Sequence, residues 1–238
     1  MKTNSIYGLS NRDIEQWKNK TDQVIIPIGS LEQHGEHLPV STDSIIIEYL
    51  AKKVSQKLDI LLLPTLPYGI SFEHEPLFNI SISHSTYSNL LSEICISLIK
   101  YGIKNIIILN GHHGNIGCLY YISQIVHDKI SSNASINFIN YWNLLETFDH
   151  AGEIETSLLL AINSKLVKMK MAKANTKKIV GSKIAYTSLT SQSGSFPKIT
   201  GNGVWGDPSN SSISKGRLLL ENLTNNIVET IKIFNKFN

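Results

Sequence analysis

The chain has 238 residues, 42% of them apolar and 17% charged, with 22 basic side chains against 19 acidic ones for a formal net charge of +3. That apolar fraction excludes a disordered chain, and the length suits one sizeable core, so a single domain over 1–238 is expected. The lysines are scattered except for Lys165, Lys168, Lys170, Lys173, Lys177 and Lys178, short of the basic footprint of a nucleic-acid binder. The N-terminus lacks a signal-peptide core, and no apolar run approaches the roughly 20 residues of a membrane span, so a cytoplasmic protein with no membrane partner is the expectation. Cys95 and Cys118 lie inside apolar helical patterns and form neither a disulfide scaffold nor a zinc finger. The modest charge content hints at surface buried between subunits.

In chain order, Ser10 can cap a short helix over 11–19, with Asp13 in its first turn. QVIIPIG (23–29) reads as a buried strand, and SLEQHGEHLPVSTD (30–43) as a polar loop unusually rich in ionisable groups. Residues 44–57 have helical periodicity, 60–63 form a short strand, and Ser85 or Thr86 opens a helix that runs to Tyr101 and is closed by Gly102. NIIILN (105–110) is the clearest strand. A tight turn over 111–115, a helix over 116–129, a strand over 135–140 and a helix over 152–163 follow. Residues 164–210 read mostly as loops, with IVGSKIAY as the best strand candidate, and one long helix or two broken ones cover 211–236. This alternation predicts an α/β fold with a central parallel or mixed sheet covered by helices.

Three polar clusters follow or lie near predicted strand ends, where ligands bind in such folds. The first holds Glu32, His34, His37 and Asp43, a donor set suited to a borderline or hard divalent metal. The second, Asn110–Asn115, places His112 and His113 in a glycine-rich turn that matches no phosphate-binding pattern. In the third, His150 precedes a helix whose first turn carries Glu153 and Glu155. There carboxylates serve as caps as readily as ligands. His150 is suited to proton transfer near neutral pH. Together these groups can build a site for two metals that activates water for C–N bond hydrolysis. No serine elbow, H-E-x-x-H helix or reactive cysteine turn offers a rival.

GSLEQHGEHLPVSTD (29–43), NGHHGN (110–115), HAGEIETS (150–157) and GVWGDPSNSSISKG (203–216) resemble the four signature stretches of the creatininase, or creatinine amidohydrolase, family. The resemblance implies a three-layer α/β/α sandwich, two divalent ions per subunit (zinc or manganese, with iron as a further candidate) and a homo-oligomer, hexameric or trimeric. It implies that Glu32, Asp43 and His112 hold one metal, that His34 and Asp43 hold the other with Asp43 as the bridge, and that His150 does acid–base work. Creatinine-hydrolysing members carry a tyrosine and a metal-binding glutamate after the histidine matching His112, where this chain has His113 and Gly114. Glu153 or Glu155 can restore that carboxylate. We assign Glu155 to metal and Glu153, with His150, to catalysis. The altered turn argues against creatinine and for a small-molecule amide, a formamide or a modified peptide as substrate. His113, Glu73, His74 and Trp142 are the residues assigned to substrate binding, and Asp207 is expected to cap or order its loop. A metal-binding protein whose catalysis has decayed, and a lyase or isomerase, are the competing readings.

Overall fold

The structure, a computed structural model, describes residues 4–175 and 192–237. Its centre is a four-stranded sheet formed by β1 (Gln23–Ile28), β2 (Leu61–Leu62), β3 (Asn105–Asn110) and β4 (Ser135–Asn140). The strand order is β2-β1-β3-β4, and every pairing is parallel. Alternate residues of each strand face opposite layers. Ile106 and Ile108 join one buried cluster, with Val24, Ile26 and Ile28, while Ile107 and Leu109 join the other, with Ile25. Both faces therefore need cover, which explains why these strands are apolar throughout.

The layer over Ile25 and Ile107 consists of α2 (Thr42–Leu58), α6 (Glu153–Asn163) and α8 (Ile213–Phe237). The opposite layer holds α1 (Asn11–Lys18), α3 (His84–Tyr101), α4 (Ile116–Leu119) and α5 (Ile122–Ile130). A short α7 (Ser195–Thr200) precedes α8. This is the expected α/β/α sandwich, with a purely parallel sheet. Gly216 lets α8 lie close to α6, because a Cβ there would come within 1.8 Å of the Ser157 carbonyl oxygen.

Several boundaries differ from expectation for local reasons. Helix α2 begins at Thr42, so Asp43 sits in its first turn and not in the preceding loop. Helix α3 opens at His84, because Ser83 accepts the Thr86 N–H and caps it. The expected helix 116–129 is interrupted at Tyr120 and Tyr121, where Tyr121 leaves helical geometry (φ −109°, ψ 1°). Cys118, Leu119, Ile122 and Val126 stay buried across the break, so the apolar spacing gives no sign of it. The Ser10 and Gly102 caps are as expected, and Asp13 answers Ser10 in a reciprocal capping box. The final helix is one piece, and α7 lies in a stretch read as loops. The strand candidate IVGSKIAY lies outside the described residues.

Candidate metal centre

The connection from β1 to β2 runs to one side of β1, and the chain then crosses back to place β3 on the other. The carboxyl ends of β1 and β3 thus form a switch point, where open α/β sheets bind ligands. Ile28 pairs with Asn110, so the two strands end level, and the Gly111 N–H donates to the Ile28 carbonyl at 2.8 Å. That register brings the Glu32 and His34 segment beside His112. The Asp43 carboxylate arrives from the first turn of α2, where unpaired N–H groups favour a negative charge.

Among the described residues three overlapping groups of donor atoms result: Glu32, Asp43 and His112; His34, His150 and Glu155; Glu32, His74 and His150. Within each, the donor atoms lie within 4.8 Å of one another, and all these residues are buried. His112 Nδ1 is 3.0 Å from Asp43 Oδ2 and 3.3 Å from Glu32 Oε2. His34 Nε2 is 3.0 Å from Asp43 Oδ1 and 3.6 Å from Glu155 Oε2. Asp43 thus turns Oδ2 toward His112 of the first group and Oδ1 toward His34 of the second, a disposition open to a bridging carboxylate.

The remaining contacts fit metal ligands. His112 Nε2 donates to the Ile70 carbonyl at 2.7 Å, and His34 Nδ1 donates to the Glu32 carbonyl at 3.1 Å. Each ring then turns an unprotonated nitrogen toward the carboxylates, the arrangement that backbone carbonyls impose on metal-binding histidines. Asp43 Oδ2 is buried with no hydrogen-bond partner, although His112 Nδ1 is so near. Lone pairs converging in this way fit a cation between them.

Without metal, protons take the cation's place. Burial opposes a charged His34, yet Asp43, then Glu155 and Glu32, raise its pKa to about 10. His112 behaves alike: burial opposes its charge, while Glu32 and Asp43 hold it well above the ordinary value. Burial pushes Glu155 up to about 8 against the pull of His34, and pushes Glu73 to about 7. His150 lies well below its ordinary value through burial and the charge of the neighbouring His34.

The chain segment around His150 is built to present Glu155. Asp149 accepts the Ile154 and Glu155 N–H groups at 2.6 and 3.3 Å and so caps α6. Ala151 adopts a left-handed backbone (φ 54°), a rare conformation for a residue with a Cβ, and its N–H donates to Glu155 Oε2 at 2.7 Å. The Tyr141 hydroxyl donates to Glu155 Oε1 at 3.2 Å. The fourth signature stretch acts through its backbone: Trp205 exchanges both main-chain hydrogen bonds with His150.

Glu32, His34, Asp43, His112 and Glu155, the ligand candidates from sequence, all meet here. Glu153 does not. Its carboxylate forms a 2.6 Å pair with Lys215, partly exposed and outside the lining of the pocket. Residues two apart on a helix point to opposite sides, so only one of the two glutamates can face the site. His74, assigned to substrate, lies within the cluster, 3.1 Å from Glu32 Oε1. Glu73, His113 and Trp142 line the pocket, and the rings of His113 and Trp142 lie 5.9 Å apart. Tyr141, Leu145 and Phe148 complete an aromatic and apolar wall. His37 instead bonds Thr156 Oγ1 at 2.9 Å and ties its loop to α6. Asp207 accepts the Ser209 N–H and orders its turn. Sequence reasoning missed Asp149 and Gln33. Asp149 had a visible signal, an acid just ahead of a helix, whereas Gln33 had none.

The parallel scaffold and the paired His/Asp/Glu groups at its switch point define a metal-dependent hydrolase of the amidohydrolase type. The family model described as Creatininase, creatinine amidohydrolase, matches residues 8–231, and the chain belongs to that family. It is 27% identical to a mycofactocin precursor peptide peptidase of Mycolicibacterium smegmatis, over 94% of this chain and 90% of that protein. It is 29% identical to a 2-amino-5-formylamino-6-ribosylaminopyrimidin-4(3H)-one 5'-monophosphate deformylase of Methanococcus maripaludis, over 87% and 90%. A crystal structure of creatinine amidohydrolase superposes with a TM-score of 0.82 at 21% identity, covering 97% of both chains.

Proposed function

We propose that this chain is one catalytic domain that hydrolyses a C–N bond in an amide, cyclic amide or formamide, small-molecule or peptide. The observation that carries it is Asp43, with one oxygen on each of two donor groups. Glu32, Asp43 and His112 would hold one divalent ion, and His34, Asp43 and Glu155 the other. Ions bound there would polarise a carbonyl and lower the pKa of water. His150 serves as the proton shuttle, accepting a proton within the pocket and delivering it to the departing nitrogen. Tyr141, Trp142, Leu145 and Phe148 form a wall suited to a planar group or a peptide side chain.

The relatives' names divide among peptidase, deformylase and creatinine amidohydrolase, and the turn at His113 and Gly114 supports a peptide or formamide over creatinine. Among the described residues no helix is long and apolar enough to cross a membrane. Our reading places the protein in the cytosol as a trimer or hexamer. Exposed Tyr120, Tyr121 and Leu218 would supply apolar contact surface.

The test is hydrolysis by zinc- or manganese-loaded protein of a panel of short peptides, aryl and heterocyclic formamides, lactams and creatinine. Expected is amine release from peptides or formamides, abolished by a chelator and restored by metal. Metal-replete protein inert across the panel would favour the non-enzymatic reading.

A further inference from the structure

Gln33 stands between two of the metal candidates in sequence but is itself neither a ligand nor titratable. It is buried, and its side chain touches both His74 and His150. The orientation of its amide is set by the backbone. Oε1 accepts the Gly35 N–H at 3.0 Å, and Nε2 donates to the Gly203 carbonyl at 2.9 Å. A flipped amide would set donor against donor at Gly35 and acceptor against acceptor at Gly203.

The amide nitrogen has two hydrogens and three neighbours. Gly203 takes one. His74 Nδ1, at 2.8 Å, is nearer than His150 Nε2, at 3.2 Å. The more distant contact has its own explanation, since His150 Nε2 lies 3.1 Å from the Gln33 carbonyl oxygen, an acceptor only. His150 must therefore carry its proton on Nε2, and the second amide hydrogen goes to His74 Nδ1. With Nδ1 accepting, the proton of His74 sits on Nε2, and Nε2 faces Glu32 Oε1 at 3.1 Å.

We propose that Gln33 is a positioning residue that fixes the tautomers of both histidines. Through its side chain it makes His74 a hydrogen-bond donor to Glu32 and bars it from binding metal. Through its main-chain carbonyl it leaves His150 Nδ1 as the nitrogen that gives and takes protons. Of the three donor groups, Glu32, His74 and His150 is then a hydrogen-bonded support, while Glu32, Asp43 and His112, and His34 and Glu155 with the other oxygen of Asp43, remain to hold metal. A metal on His74 Nε2 would require the ring proton on Nδ1, directly against a Gln33 N–H. Phe196, 4.6 Å from the His74 ring and 4.8 Å from the His150 ring, packs against both and limits other poses. The inference deepens the hydrolase reading, but its test needs no substrate.

Long-range proton–nitrogen correlation spectra of zinc-loaded, nitrogen-15 histidine-labelled protein read each tautomer, with assignment by His74→Gln and His150→Gln. Expected in the unsubstituted protein are Nε2–H and a pyridine-like Nδ1 on both rings, with no zinc-ligated signature on His74. Gln33→Glu puts an acceptor where the amide donor stood, so the His74 proton should move to Nδ1. Gln33→Met removes the donor at similar length, so His74 should sample both tautomers while His150 keeps its own. A zinc-ligated His74, or a proton on Nδ1 of either ring in the unsubstituted protein, would overturn the proposal. So would a His74 spectrum unchanged in both variants. The unsubstituted spectrum decides the matter even if a variant fails to fold. Correct tautomers in a protein inert toward every amide would uphold this inference and sink the hydrolase reading.

Discussion

Replacing Asp43 by asparagine is the most decisive perturbation. The change is nearly isosteric and keeps one oxygen, but it removes the charge and turns the other donor atom into an amide nitrogen. Asp43 Oδ1 and Oδ2 lie 3.0 Å from His34 Nε2 and His112 Nδ1 respectively, so both donor groups lose their shared negative charge at once and one of them loses its oxygen as well. A four-ligand zinc site is worth about 10–16 kcal/mol, so one anionic ligand accounts for about 3–4 kcal/mol. That is a factor of about 10²–10³ in affinity, applied to each ion. Glu155→Gln touches only the group containing His34. The assay is elemental analysis of protein loaded with zinc and dialysed against metal-free buffer. Expected are two equivalents in the unsubstituted protein, about one in Glu155→Gln and almost none in Asp43→Asn. Two equivalents retained by Asp43→Asn would refute the bridge.

Other outcomes follow from the same geometry. His150→Gln should keep both zinc equivalents and lose about 10²–10⁴ in turnover, measured on whichever panel substrate is cleaved; metal loss would make His150 a ligand instead. Zinc entry must displace the protons of His34, near 10, and Glu155, near 8. Competition with a chromophoric chelator should therefore show affinity rising with pH, about tenfold per unit for each proton displaced, with a shallower slope above 8. A flat profile would mean that neither group binds metal. Both raised values also stabilise the metal-free fold at low pH: His34's contribution is complete below 6.5 and lost as pH rises through about 10, and Glu155's is complete below 4.5 and lost through about 8, so the apo melting temperature should fall across that range. At Gly114 a Cβ would lie 1.9 Å from the Ile70 carbonyl oxygen and 2.6 Å from His112 Nε2. Gly114→Ala should thus displace His112, cost about 1–3 kcal/mol in a denaturant titration and lower zinc occupancy; unchanged stability and occupancy would show that the turn can yield.

Much of the sheet was legible in the sequence because β1 and β3 are buried on both faces, which demands unbroken apolar runs. The ligand candidates were legible because few other roles crowd so many His, Asp and Glu residues behind strand ends. What escaped depends on relations between distant segments. Glu153 and Glu155 look equivalent in sequence, since both suit a first helical turn, and only the direction of α6 toward the sheet separates them. Gln33 is an ordinary polar residue until Gly203, His74 and His150 come within reach of one amide. The start of α2 was misplaced because Asp43 reads as part of a polar loop, whereas the helix already begins at Thr42.

The candidate ligands are far apart along the chain: Glu32 and His34 before α2, Asp43 at its start, His112 after β3, and Glu155 on α6. A pair of ions held among them, joined through Asp43, is a reversible cross-link. It closes loops on the order of 100 residues, for which a covalent tie would reduce the entropy of the unfolded chain by about 4–5 kcal/mol. Metal supply would then govern how long the protein survives as well as whether it works. A cell short of the ion would lose the polypeptide itself to proteolysis, and not merely its turnover.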